Sequence, residues 1–131
     1  MFEVDTSGYA SASARSWDSI KSQVTAVYID SSVASAGITN CAYWFNGFSN
    51  CVEVTGFQNL SAFTNGTQMF TSCSSLESIY ATSFTNAITS SGSMFYGCNR
   101  LVGGTDGFVP TTTSAGSVGK LGTDGVLTKK E

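Results

Sequence analysis

Four cysteines, at positions 41, 51, 73 and 98, are the residues of this chain best suited to covalent or metal chemistry. An even count invites a disulfide framework. Zinc would need close Cys-x-x-Cys pairs or histidine partners, and a nucleophilic thiol needs a base beside it. The chain has no histidine at all, which removes the commonest general base and the commonest metal ligand together. No two cysteines stand at Cys-x-x-Cys spacing either. Asp18, Asp30, Glu53, Glu77, Asp106 and Asp124 show no calcium-loop spacing and read as solvated surface. Gly103-Gly104 and Gly122–Gly125 lack nucleotide-loop spacing and read as turns. The acceptor-like triplets at Asn59 and Asn65 are expected by chance in so Ser- and Thr-rich a chain. The expectation is a protein that is not an enzyme, with no catalytic residue, metal or cofactor.

Composition narrows the partners. A length of 131 residues suits a single domain, taken as 1–131. Charged residues make up 11% against a usual ~25%, so the surface rests on neutral polar groups, as is common outside the cytoplasm. With six Lys+Arg and a formal charge of −3, nothing could neutralise a row of phosphates, so no nucleic acid is expected as partner. No run approaches the ~20 apolar residues that cross a bilayer, and no membrane insertion is expected. The stretch Met1–Ser16 has neither the basic region nor the apolar core of a signal peptide. For a chain placed extracellularly or at the cell surface, that leaves an excised piece of a longer surface protein, the favoured expectation, or a phage-type protein released by lysis.

The elements that would position any site follow from an internal repeat. Met69-Phe70-Thr71-Ser72-Cys73-Ser74-Ser75-Leu76 recurs 25 residues later as Met94-Phe95-Tyr96-Gly97-Cys98-Asn99-Arg100-Leu101. Trp44-Phe45-Asn46-Gly47-Phe48-Ser49-Asn50-Cys51 fills the same slots 25 residues earlier with residues of similar size and polarity. Val54 and Ile79 follow three positions after the Leu slot, a short strand signal within a unit of ~20–29 residues. One such unit cannot bury its apolar side alone, whereas stacked copies form a parallel sheet backed by turns. The predicted fold class is accordingly a leucine-rich-repeat-like solenoid, α/β or mainly β, a short right-handed stack of coils. Residues 1–37 would hold an N-terminal cap and first strand, 38–104 the repeats, and 105–131 a C-terminal cap and frayed tail. Strands are predicted near Val24–Ile29, Cys51–Thr55, Leu76–Tyr80 and Leu101–Gly103, and a short capped helix at Ser16–Ile20.

Over Val24 to Gly104 the chain resembles the BspA-type leucine-rich repeat surface proteins, whose unit reads Met-Phe-x-x-Cys-x-x-Leu followed by a Leu or Ile strand position and a Phe. Met69 to Ile79 matches that unit almost completely. The family's usual Asp-Thr-Ser-Asn-Val-Thr-Asn link is reduced here to Ala62-Phe63-Thr64-Asn65-Gly66-Thr67 and Thr85-Asn86-Ala87-Ile88-Thr89. The resemblance implies surface exposure and binding of host or partner proteins, and names no ligand.

Repeat register bears on the cysteines and selects a candidate face. Cys73 and Cys98 share a slot with Phe48, and Cys51 shares one with Leu76 and Leu101, so these three are expected as small buried hydrophobes with free thiols. A Cys73–Cys98 or Cys41–Cys51 bridge stays open. Cys41 aligns with Gly66 and Ser91 and is expected to be the more exposed thiol. Side chains alternate along a strand, so residues flanking inward Val54 and Ile79 must point outward. That places Tyr28, Glu53, Thr55, Ser78 and Tyr80 on one face, with two tyrosines able to supply contact area at low entropic cost. The expected function is adhesion or binding to a host or neighbouring surface protein through this face. The alternative is a structural spacer or assembly unit without a specific ligand.

Overall fold

The computed structural model describes residues 7–60, 62–82, 88–90, 92–102 and 127–129. Short strands β1 (Ala26–Tyr28), β2 (Glu53–Thr55), β3 (Ser78–Ala81) and β4 (Leu127–Lys129) form one parallel sheet in the order β1-β2-β3-β4. Val27 aligns with Val54 and Val54 with Ile79, which turns the equivalent apolar positions of successive segments into neighbours. Val54 and Ile79 are buried and Val27 is half-buried, as alternation along a strand requires.

A second ladder runs through the turns away from the sheet. Backbone N–H groups of Cys41, Tyr43, Phe45 and Gly47 donate to the carbonyls of Asn65, Thr67, Met69 and Thr71 at 2.8–3.0 Å. Those of Gly66, Gln68, Phe70 and Ser72 donate in the same way to Ser90, Gly92, Met94 and Tyr96 at 2.7–2.9 Å. The chain at 42–47, 67–72 and 92–97 is thus one shape laid three times on itself. Its side chains then meet their own kind. The rings of Phe45, Phe70 and Phe95 stand 5.3 and 5.4 Å apart, and Met69, Met94, Leu76 and Leu101 are fully buried in matching columns. Phe57 and Phe63 fill the space between turns and sheet.

That turn needs two left-handed residues per copy. One position is held by Tyr43, Gln68 and Ser93 at φ 52–67°, the other by Gly47, Ser72 and Gly97 at 65–83°. A side chain in this region costs roughly 1–2 kcal/mol, whereas glycine adopts it freely at some entropic cost. Ser72 is exposed. Ser72→Gly is therefore expected to stabilise the chain by about 0.5–1 kcal/mol, read as a higher denaturant midpoint; a lower midpoint would contradict the strain argument.

The first copy has no predecessor to donate to its turn. In the later copies the carbonyls of Met69 and Met94 accept N–H groups from Phe45 and Phe70; at the equivalent Trp44 the carbonyl accepts instead from the side chains of Arg15 (Nη1, 3.1 Å) and Trp17 (Nε1, 2.9 Å). Arg15 also donates to the carbonyls of Tyr43 and Ala12, lies over the Phe48 ring and pairs with Asp18 at 2.8 Å. Its hydrogen bond holds the Asp18 carboxyl below the ordinary carboxylate range. This buried arginine was not foreseen. The segment around it also differs from expectation: it forms a single 3-10 turn, Asp18–Ile20, preceded by Trp17 without a side-chain cap, where a helix capped from Ser16 was predicted.

The fourth strand differs more. Val102 N–H donates to Glu77 O at 2.9 Å, so the chain enters the track that Val52 and Glu77 take in the copies before it. The residue aligned with Ile79 is nevertheless Leu127, with Thr128 beside Tyr80 and Lys129 beside Ala81. The strand predicted at Leu101–Gly103 lies partly outside the described residues, which stop at Val102 and resume at Leu127. Lys129, expected in a frayed tail, belongs to β4.

Candidate binding face

The cysteines form no reactive centre among the described residues. All four are free and buried. Cys73 Sγ donates to Phe45 O at 3.1 Å and Cys98 Sγ to Phe70 O at 3.0 Å, so each thiol hydrogen-bonds the phenylalanine carbonyl of the copy before it. Burial pushes the Cys41 thiol up and raises that of Cys51 to about 11, while the adjacent Cys98 thiol and then burial push Cys73 up. An attacking thiolate needs the opposite shift. The expectation for Cys41 is corrected: it is fully buried. Its register mate Gly66 shows why a small residue in this slot does not mean exposure, since a Cβ there would lie 2.8 Å from Met94 Sδ. The slot is small because a neighbouring methionine fills it. Among the described residues no three potential ligands cluster to hold a metal.

The five residues selected by strand alternation share one face of the sheet but divide into two groups. Glu53 and Ser78 are paired across β2 and β3 at the start of the strands. Tyr28 and Thr55 are paired across β1 and β2 at their ends, with Tyr80 on β3 one strand further. Gly103 and Thr105, which stand 25 residues after Ser78 and Tyr80, lie outside the described residues. Tyr28 is 69% exposed, and Thr55 and Tyr80 are half-buried.

The second group lines a shallow groove of about 210 Å³ together with Gly56, Gln58 and Thr82, closed below by Ala81. Tyr28 and Tyr80 stand at its two sides because β2 lies between their strands. The residues that follow the outward positions, Gly56 and Ala81, carry little or no side chain and both line the groove. Gln58 sits in the 3-10 turn Phe57–Asn59, and its Oε1 accepts from Thr82 N–H at 3.4 Å, linking the two segments that leave the strands. Alternation selected the tyrosines and Thr55 but missed Gly56, Gln58, Ala81 and Thr82, which lie beyond the strand ends. The small residues at 56 and 81, in register one copy apart, were the available signal.

No protein-family model, curated protein or solved structure matches this chain.

Proposed function

We propose that this chain is a short leucine-rich-repeat-like solenoid at a cell surface that binds a protein partner, of a host or of a neighbouring surface, without catalysing a reaction. The observation that carries this reading is the meeting of Tyr28, Thr55 and Tyr80 around one groove on the outward face of the sheet. A tyrosine exposed at 69% on a regular strand adds nothing to the core, while its large amphipathic ring suits an interface. Buried thiols, the lack of histidine and the absence of a metal-ligand cluster among the described residues offer no competing chemistry. The repeat of backbone bonds at a constant offset supports the solenoid assignment, because each copy contacts the next through the same atoms.

The test is surface plasmon resonance against a panel of purified extracellular and cell-surface proteins, comparing the chain with its Tyr28→Ala/Tyr80→Ala form. Binding is expected to weaken roughly a hundredfold, as interface tyrosines often act as hot spots, with the denaturant midpoint little changed. A double variant that binds equally well would remove the sheet face as the site. One that unfolds would make the tyrosines structural.

A further inference from the structure

The described sheet has two ends, and they differ in chemistry. β4 contains Lys129 and is followed by Lys130 and Glu131, charges of the kind that blunt a strand edge. β1 reads Ala26-Val27-Tyr28, with no charge and no proline. Its hydrogen bonds show on which side it is open. Thr25 O accepts from Val52 N–H at 2.8 Å, Val27 O accepts from the Thr55 hydroxyl at 3.5 Å, and Ile29 N–H donates to Thr55 O at 2.9 Å. The odd-numbered residues therefore turn to β2. Backbone groups alternate in direction along a strand, so the N–H and C=O of Ala26 and of Tyr28 face away from β2, where no described segment pairs with β1. Both residues are exposed.

The side chains mark the same edge. Val27 holds the inward position that Val54 and Ile79 hold in the next two strands, yet it is half-buried where they are fully buried. Val24 and Val33 also pack on the core and stay half-buried. One more apolar side chain beside Val27 would complete the column. Two donors and two acceptors in alternation, next to an uncovered apolar column, match the backbone of an extended peptide with an apolar residue at its centre. A whole further coil is the wrong occupant. It would have to pair with the first turn as well, where Arg15 and Trp17 already hold the Trp44 carbonyl.

We infer that the β1 edge is a docking site for one extended segment of the protein partner, which pairs with the backbone of Ala26 and Tyr28 and sets an apolar side chain beside Val27. The inference rests on the reading that the partner binds this sheet, and Tyr28 belongs both to the edge and to the outward face.

The experiment titrates the full chain with a capped synthetic peptide of the sequence of residues 76–82, which carries the strand whose Ile79 continues the Val27 and Val54 column. Amide-resolved NMR reads it. In the free chain the Ala26 and Tyr28 N–H groups are expected to exchange quickly with solvent, and peptide binding should slow both. Two versions of the peptide, N-methylated on alternate amides, separate backbone pairing from side-chain contact. One should bind like the parent, and the other, methylated on the amides that face β1, should bind roughly tenfold more weakly or worse. Ala26→Pro removes an N–H that β2 does not use, so it should weaken peptide binding as much with the denaturant midpoint little changed. Tyr80→Ala, two strands away, should leave peptide binding unchanged. The inference is overturned if the Ala26 and Tyr28 amides are already protected in the free chain, if the peptide does not bind, or if both methylated versions bind alike. The methylated pair decides even where Ala26→Pro does not fold. Protein partners lost with Tyr28→Ala/Tyr80→Ala yet indifferent to Ala26→Pro would overturn the edge site alone. Partners indifferent to all three substitutions would overturn the binding face with it.

Discussion

Gly56→Ala is expected to cost about 3–5 kcal/mol, among the largest losses a single methyl group can cause in a small domain. Gly56 is buried at the end of β2 with φ 80°, where any side chain is strained by roughly 1–2 kcal/mol. Space is the greater problem. A Cβ built on Gly56 would overlap the carbonyl oxygen of Ile29, and would lie 3.1 Å from its carbon and 3.2 Å from its nitrogen. That backbone cannot step aside, because Ile29 N donates to Thr55 O at 2.9 Å and Ile29 O accepts from Asn59 Nδ2 at 2.8 Å. Moving it breaks both bonds, each worth about 1 kcal/mol net. Ala81, one copy further along, carries the side chain that Gly56 lacks and is buried without strain of this kind. Urea unfolding of the variant measures the loss, and a value under about 1 kcal/mol would show that the two strand ends can separate.

Alkali should unfold the chain well before it harms most proteins of this size. Cys41, Cys51 and Cys73 are all raised in the folded state, Cys51 to about 11. An unfolded thiol titrates near 8.5. Between those values the folded chain holds protons that the unfolded chain gives up, so the stability present below about pH 8.5 is lost as pH rises toward the folded values. At pH 10 each thiol costs about 2 kcal/mol, and the three together about 6 kcal/mol, against a total of ~5–15 kcal/mol for an ordinary domain. Tyrosine and lysine titrate near pH 10 as well, so the control is Cys51→Leu, which places at 51 the residue found at 76 and 101. It should recover about 2 kcal/mol of the loss at pH 10. A flat profile from pH 7 to 10, or one unaffected by Cys51→Leu, would mean that the thiols are already solvated or bonded. Thiol titration of the denatured chain without reductant separates the two, since four free thiols are expected.

Spacing alone carried the register. Wherever the 25-residue self-similarity was strong, as from Met69 to Ile79, it named buried positions and strand partners that the backbone bonds reproduce, because an apolar residue in a stacked copy has only one inward direction. The same logic placed Tyr28 and Tyr80 outward on one face. It failed where a position's character is set by a neighbour in another copy. Cys41 and Gly66 align as small residues, which suggests surface, yet Cys41 is fully buried and Gly66 is small because Met94 fills the space a side chain would take. Arg15 was not singled out, because its guanidinium is satisfied by carbonyls 28 and 29 residues away that no local pattern reveals. The fourth strand failed for a third reason: pairing of β3 with β4 joins segments with no similarity between them, and repeat register cannot speak for a residue that has no counterpart.

The bonds from Arg15 and Trp17 to the Trp44 carbonyl have a meaning beyond the copy they complete. A structure built by adding like to like has no inherent stopping point, and its first copy exposes the surface on which another molecule could carry the pattern on. Here the acceptor that would receive a foreign chain's N–H is already taken by two side chains of the same polypeptide. The first copy is thus closed on this side by its own chain. Growth from this end into a fibre would first require a buried guanidinium to give up the carbonyls of Tyr43 and Trp44, and nothing in an incoming backbone can compensate that charge.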